Sequence, residues 1–198
     1  NNIAKVNHIS ITEDEKTQAK LEKLNNIKQR IVAKDKVLQN KPNFVISIVP
    51  DKEFNAYIKL DGSITFTEGL LDKINNEETL TFVMAHELGH YANRDCLKHV
   101  SRQALAGLVT SILSGGQNDT NIAVNSISNL NALTYSRAQE KQADEYANKM
   151  LYKLYGRNTG AVEFFKDLEK EEKTPEFLQY FSTHPSTHQR LIFITKNK

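Results

Sequence analysis

The sequence predicts one α+β domain, mainly helical, with a small antiparallel sheet ahead of its central helix. Apolar residues recur at helical spacing over residues 13–38, short β-branched runs follow between residues 44 and 67, and helical patterning resumes at Asn76. At 198 residues and 39% hydrophobic content the chain can bury one core. A single domain is therefore expected over residues 1–198, with residues 1–40 as a helical segment packing on a core of residues 41–198.

Taken in order, Leu21, Leu24, Ile27, Ile31 and Leu38 fall three, four and seven apart, as on the inner stripe of an amphipathic helix with a charged outer face. Lys41-Pro42-Asn43 is expected to end that helix. Phe44-Val45-Ile46-Ser47-Ile48-Val49 reads as a strand closed by Pro50-Asp51. Residues 57–60 and 63–67 flank Asp61-Gly62, a dipeptide that tolerates positive φ at both positions and so favours a two-residue hairpin turn. Asn76 can cap the next helix, Glu77 and Glu78 suit its first turn, and Leu80, Val83 and Met84 begin an apolar face. Residues 104–113 form an apolar stretch about half the roughly 20 residues a spanning helix needs, running into polar residues 114–119. A buried helix ending at a loop is expected there.

Composition narrows the function classes. Lys and Arg number 26 against 24 Asp and Glu, with no block of like charge, so the footprint of a nucleic-acid binder is missing. The single Cys96 excludes an intramolecular disulfide and the paired-cysteine type of zinc site. The chain opens at Asn1 with no basic-then-apolar leader, as expected where a signal segment has been removed or the start trimmed.

The motif His86-Glu87-Leu88-Gly89-His90 lies in the helix that Asn76 opens. Histidines four apart on a helix differ by about 40° around its axis and one turn along it, so both imidazoles can reach one metal ion. Glu87 points in an adjacent direction, from which it can hold a water beside the metal and take its proton. Catalytic zinc needs a third protein donor. A histidine at the spacing of one large class of such enzymes is excluded, because Asn93 and Cys96 stand where Gly and His would be, and His99 would fall on the opposite face if the helix ran on. Glu140 is the better candidate: it shares a helix face with Asp144 one turn later, and Asp144 can accept the free ring N–H of a liganding histidine. The neighbouring Ala143 suggests close helix packing.

Together, His86-Glu87-Leu88-Gly89-His90, then Glu140-Lys141-Gln142-Ala143-Asp144, then Thr183-His184-Pro185 through Arg190-Leu191, resemble the HtpX/BepA-like family of gluzincin zinc peptidases, relatives of the CAAX prenyl proteases. The resemblance covers roughly residues 44–194. It implies a zincin-type metalloprotease domain holding one zinc ion, with the small sheet bordering the cleft. It also implies that Asn55 and Ala56, with Ile64, Thr65 and Phe66, form an edge against which extended polypeptide pairs by main-chain hydrogen bonds. By the same resemblance His184 reaches the cleft, either to donate to the oxyanion of the tetrahedral intermediate or to occupy the open zinc position and keep the enzyme latent. Arg190 would point into the site, to orient the ligand carboxylate or stabilise developing charge. Where relatives often carry histidine after Asn-Arg, this chain has Asp95, and no role transfers to it.

The resulting expectation is a zinc endopeptidase acting on unfolded or misassembled polypeptides, in the periplasm or cell envelope by likeness to the soluble branch of the family. Peripheral or lipid-anchored membrane association, through residues 104–113, is compatible with it. The alternative is a zinc-stabilised, chaperone-like module that binds polypeptide without cutting. Glu87 speaks against that alternative, since a scaffold has no need of it.

Overall fold

A computed structural model describes residues 2–40, 44–113, 134–171, 173–185 and 187–196. The elements run α1 (Asn2–Ala33), α2 (Lys36–Gln39), β1 (Ile46–Val49), β2 (Ala56–Ile58), β3 (Ile64–Thr67), α3 (Glu68–Lys73), α4 (Glu77–Ala92), α5 (Asp95–Leu113), α6 (Arg137–Tyr155), α7 (Thr159–Lys170), α8 (Leu178–Thr183) and α9 (Thr187–Lys196), with a 3-10 turn at Pro175–Phe177 ahead of α8. The architecture is mainly helical α+β, as predicted.

The stripe of Leu24, Ile27 and Ile31 is buried, and α1 packs on α4 and β1. The helix expected over residues 13–38 starts earlier and breaks at residues 34–35. Asp35 causes the break: its short carboxylate accepts from Val37 N and Leu38 N, capping α2, and also takes the Tyr146 hydroxyl of α6. The expected stop at Lys41-Pro42-Asn43 and the loop at residues 114–119 lie outside the described residues.

The sheet has the order β1-β3-β2. It is mixed, because β1 runs parallel to β3 and only β2 is antiparallel to it, so the expected all-antiparallel sheet is corrected. The chain reverses between β1 and β2 and again at the β2–β3 hairpin, so β3 runs in the direction of β1. The hairpin between β2 and β3 is present, with a longer turn than predicted. Lys59 N bonds Ser63 O, Gly62 N bonds Lys59 O, and only Gly62, at φ +86°, takes the left-handed conformation. That is a three-residue loop in which glycine supplies the one positive φ. All of Ile64, Thr65, Phe66 and Thr67 are buried in the middle strand. Ile64, Thr65 and Phe66 are therefore not at an edge. Flanking β2, Asn55 O accepts Thr67 N and Lys59 N donates to Ser63 O, so the main chain of Ala56 and Ile58 faces away from β3, although both residues are buried.

Helix α4 is the core of the molecule, buried from Glu78 to His90 and capped by the Asn76 side chain on Glu78 N. It packs chiefly on α6 and α7. A Cβ at Gly89 would lie 3.1 Å from Ala143 Cα, so the absence of a side chain there sets how closely α4 and α6 approach. Helix α6 opens with a reciprocal cap between Ser136 and Gln139, which fixes the turn carrying Glu140. The apolar stretch within α5 departs from expectation: Leu105 is 62% exposed and Ile112 69%, so it is an outward-facing helix and not a buried one. It packs on α4, and Cys96 near its start also meets Ile58 O of β2 and the Tyr135 hydroxyl. No described helix is long and apolar enough to cross a membrane.

Candidate metal centre

Helix α4 brings His86 and His90 to one face, α6 brings Glu140 against them, and the end of α8 adds His184. One donor atom from each of these four residues lies within 4.8 Å of every other. His86 Nε2 is 3.1 Å from His90 Nε2 and 3.6 Å from Glu140 Oε2, and His90 Nε2 is 3.3 Å from Glu140 Oε1. His184 Nδ1 is 3.3 Å from His86 Nε2 and 3.1 Å from Glu140 Oε1. Donors at about 2.0–2.1 Å from a tetrahedral ion stand about 3.3 Å from one another, so these separations have the size of a zinc-type polyhedron. Both oxygens of Glu87 and Glu140 Oε2 are buried without a hydrogen-bond partner, as fits a carboxylate reserved for water and another reserved for a cation. Three nitrogens and a carboxylate form a donor set suited to zinc.

The ring nitrogens turned away from the centre are also held. His86 Nδ1–H donates to Asp144 Oδ1 at 3.0 Å, and His90 Nδ1–H donates to Asp95 Oδ2 at 3.1 Å. Each imidazole is thereby fixed in the tautomer that turns Nε2 inward. Arg190 donates from Nε and Nη2 to the two oxygens of Asp144, both at 2.8 Å, and its Nη1 forms an ion pair with Glu140 Oε2 at 2.6 Å that is not aligned as a hydrogen bond. Its guanidinium lies over Phe165, 4.8 Å from the ring centroid.

Burial sets the protonation states, modified by these partners. Burial, with Arg190 nearby, pushes His86 down to about 3, leaving the neutral imidazole that a metal requires. Burial also opposes a charge on His90, but Asp95 and Glu140 outweigh it and lift its pKa to about 9. The space between His90 and Glu140 thus favours positive charge, which is what a cation supplies. Glu140 and Asp144 are buried too, yet Arg190 keeps both below the usual carboxylate range. Glu87 lies deep with no such cation against it, and burial raises it. That direction suits a group exchanging a proton near neutrality.

The residues predicted for the site, His86, Glu87, His90, Glu140, Asp144, His184 and Arg190, come together in one buried cluster. Helix α4 packs on β2, whose Ile58 O is 3.5 Å from the Cys96 Sγ that partners Tyr135, while Ile64, Thr65 and Phe66 stand one strand behind. Among the described residues, Asn55 and Ala56 make no hydrogen bond to the cluster. Two members escaped the sequence reading. Asp95 is fully buried on His90, and Tyr135 stacks on the His90 ring, with centroids 3.7 Å and planes 10° apart. Asp95 reaches His90 because α4 stops at Asn93 and Arg94 turns the chain at φ 58°. The only signal for it was the acidic residue itself. His99 is not among the donors and bonds Gln103 instead.

A family model described as Peptidase family M48 matches residues 18–198 of this chain. The chain belongs to peptidase family M48. A protein of Vibrio cholerae named a beta-barrel assembly-enhancing protease is 27% identical over 185 residues, covering 86% of this chain and 37% of that protein. The protease HtpX of Legionella pneumophila is 28% identical over 172 residues, covering 66% of this chain and 60% of its own length. An HtpX homologue of Aquifex aeolicus is 27% identical over 199 residues, covering 77% of this chain and 65% of the homologue. This M48 chain thus spans between about a third and two thirds of the relatives it matches.

Proposed function

We propose that this M48 chain is a zinc-dependent endopeptidase acting on unfolded or misassembled polypeptides, with His86, His90 and Glu140 as the metal ligands and Glu87 as the general base. The observation that carries the reading is the set of donor separations among His86, His90, Glu140 and His184, beside a buried Glu87 whose two oxygens have no hydrogen-bond partner and whose Oε1 is 3.6 Å from His184 Nε2. When bound there, the metal polarises the scissile carbonyl and acidifies water. Glu87 takes the proton of the attacking water and passes it to the leaving amine. Asp144 and Asp95 keep the two histidines oriented, and Arg190 holds Glu140 and Asp144 charged. Ala56 is fully buried in this arrangement, so extended substrate pairs with the main chain of β2 that faces away from β3 only once the site opens, which selects by backbone and not by side chain.

In this reading His184 holds the site closed. Its Nδ1 stands at the fourth vertex, and all four donor residues are at most 2% exposed, so a peptide reaches the centre only when His184 withdraws. The alternative of a polypeptide-binding module without cleavage is separated by the fate of the bound chain. Incubating zinc-loaded protein with a permanently unfolded model polypeptide is expected to give fragments. Intact release after prolonged contact, with His184→Ala protein giving the same result, would contradict peptidase activity.

Work on envelope proteins is the biological setting we propose, supported by the name of the Vibrio cholerae relative and by the outward apolar residues of α5, which suit peripheral attachment to a membrane. Cell fractionation with an antibody to the native protein tests it, and a wholly cytosolic pool is the contrary result.

A further inference from the structure

Tyr135 supplies no metal donor and precedes α6, yet it touches three parts of the centre. Its ring stacks on His90, and lies 5.6 Å from the His184 ring at 35°. Its backbone N–H donates to Thr183 O at 3.1 Å, and the adjacent Thr134 hydroxyl donates to Ser182 O at 3.1 Å. Two consecutive residues thereby strap down the segment that ends in His184. The phenol hydroxyl is partnered by Cys96 Sγ at 3.2 Å, which in turn is 3.5 Å from Ile58 O on the outer side of β2.

His184 needs such support. It follows α8, a helix of six residues, and its own N–H bonds Tyr180 O at 2.8 Å. A helix this short does not hold a shape by itself, whereas a donor must be placed to within about 0.5 Å to serve a metal. Tyr180 packs on the His184 ring with centroids 4.7 Å apart, but it rides on the same short helix. Tyr135 comes from outside it. It stands immediately before Ser136, the cap of the helix that carries Glu140, so the strap measures the position of His184 from the same helix end as a proposed metal ligand.

We infer that Tyr135 is the positioning residue that keeps His184 Nδ1 at the fourth vertex of the metal centre, through its ring and through its backbone bond to Thr183. The inference rests on the metal reading above. The ring gives His90 and His184 a common packing surface, and the strap fixes how far the His184 segment can swing. Loss of the ring frees His184 while leaving His86, His90 and Glu140 in place.

Cobalt(II) loaded into the purified protein tests this without reference to activity, because its visible absorption reports the number and kind of donors. The Tyr135→Leu protein is expected to show the spectrum of His184→Ala, whereas Tyr135→Phe, which keeps both ring and backbone bond, retains the wild-type spectrum. Thr134→Val alters an exposed side chain that folding does not need, and is expected to move the spectrum part of the way. A wild-type spectrum in folded Tyr135→Leu protein would overturn the inference. If that protein fails to fold, Tyr135→Met, which also removes the ring, is read in its place, and a wild-type spectrum there does the same. Identical spectra for wild type and His184→Ala would remove His184 as a donor and the inference with it. Failure of the wild type to take up cobalt would instead bring down the metal reading itself.

Discussion

His86 and His90 each turn one ring nitrogen to the centre and give the other to a buried carboxylate, Asp144 and Asp95 respectively. Loss of such a partner typically costs 10–100-fold in metal affinity. Asp95→Asn is expected to weaken metal binding by that order in competition with a chromophoric chelator, and an unchanged affinity would remove Asp95 from the account. Arg190 neutralises two buried carboxylates at once. Arg190→Leu leaves them uncompensated, and a loss of about 3–5 kcal/mol in denaturant unfolding is expected; a loss under 1 kcal/mol would show that other groups carry the charge balance. Asp144 was legible in the sequence because it sits one helical turn from Glu140. Asp95 was not, because its approach to His90 depends on the left-handed turn at Arg94, which no periodicity announces.

At the scale of elements, the H-E-x-x-H helix was legible down to its cap, since Asn76, two acidic residues and an apolar face all mark the same start. The sheet was less so. Each strand was readable from its β-branched run, but the parallel pairing of β1 with β3 is a long-range choice, and it moved Ile64, Thr65 and Phe66 from the expected edge to the middle. Close packing of α4 on α6 was hinted at by Ala143 and is enforced at Gly89. Gly89→Val is expected to push the helices apart, at a cost of about 1–3 kcal/mol in stability together with weaker metal binding. Wild-type values for both would mean that the approach is not tight. The exposed face of α5 was misread because apolar composition alone does not say what lies opposite. Leu105, Leu108 and Ile112 face outward, so co-sedimentation with lipid vesicles is expected and should be lost on changing all three to Ser. Wild-type protein that stays in the supernatant would count against attachment through this helix.

For the molecule as a whole, the centre is built where α4, α6, the end of α8 and α9 meet, with β2 alongside, and it is sealed by the residue that completes it. If the closed arrangement accounts for about nine in ten molecules or more, opening it multiplies the competent fraction up to tenfold or beyond. His184→Ala is therefore expected to cleave an unfolded substrate about tenfold faster than wild type; slower cleavage would mean that His184 serves the reaction and does not restrain it. The central claim is that Glu87 moves the proton while His86, His90 and Glu140 hold the metal. The measurement that tests it most directly is digestion of an unfolded model protein by zinc-loaded wild type beside Glu87→Gln, with bound metal determined on the same samples. Equal metal in both, with cleavage lowered by about 10²–10⁴-fold in Glu87→Gln, is the expected result; cleavage at the wild-type rate by Glu87→Gln protein with full metal content would contradict the assignment.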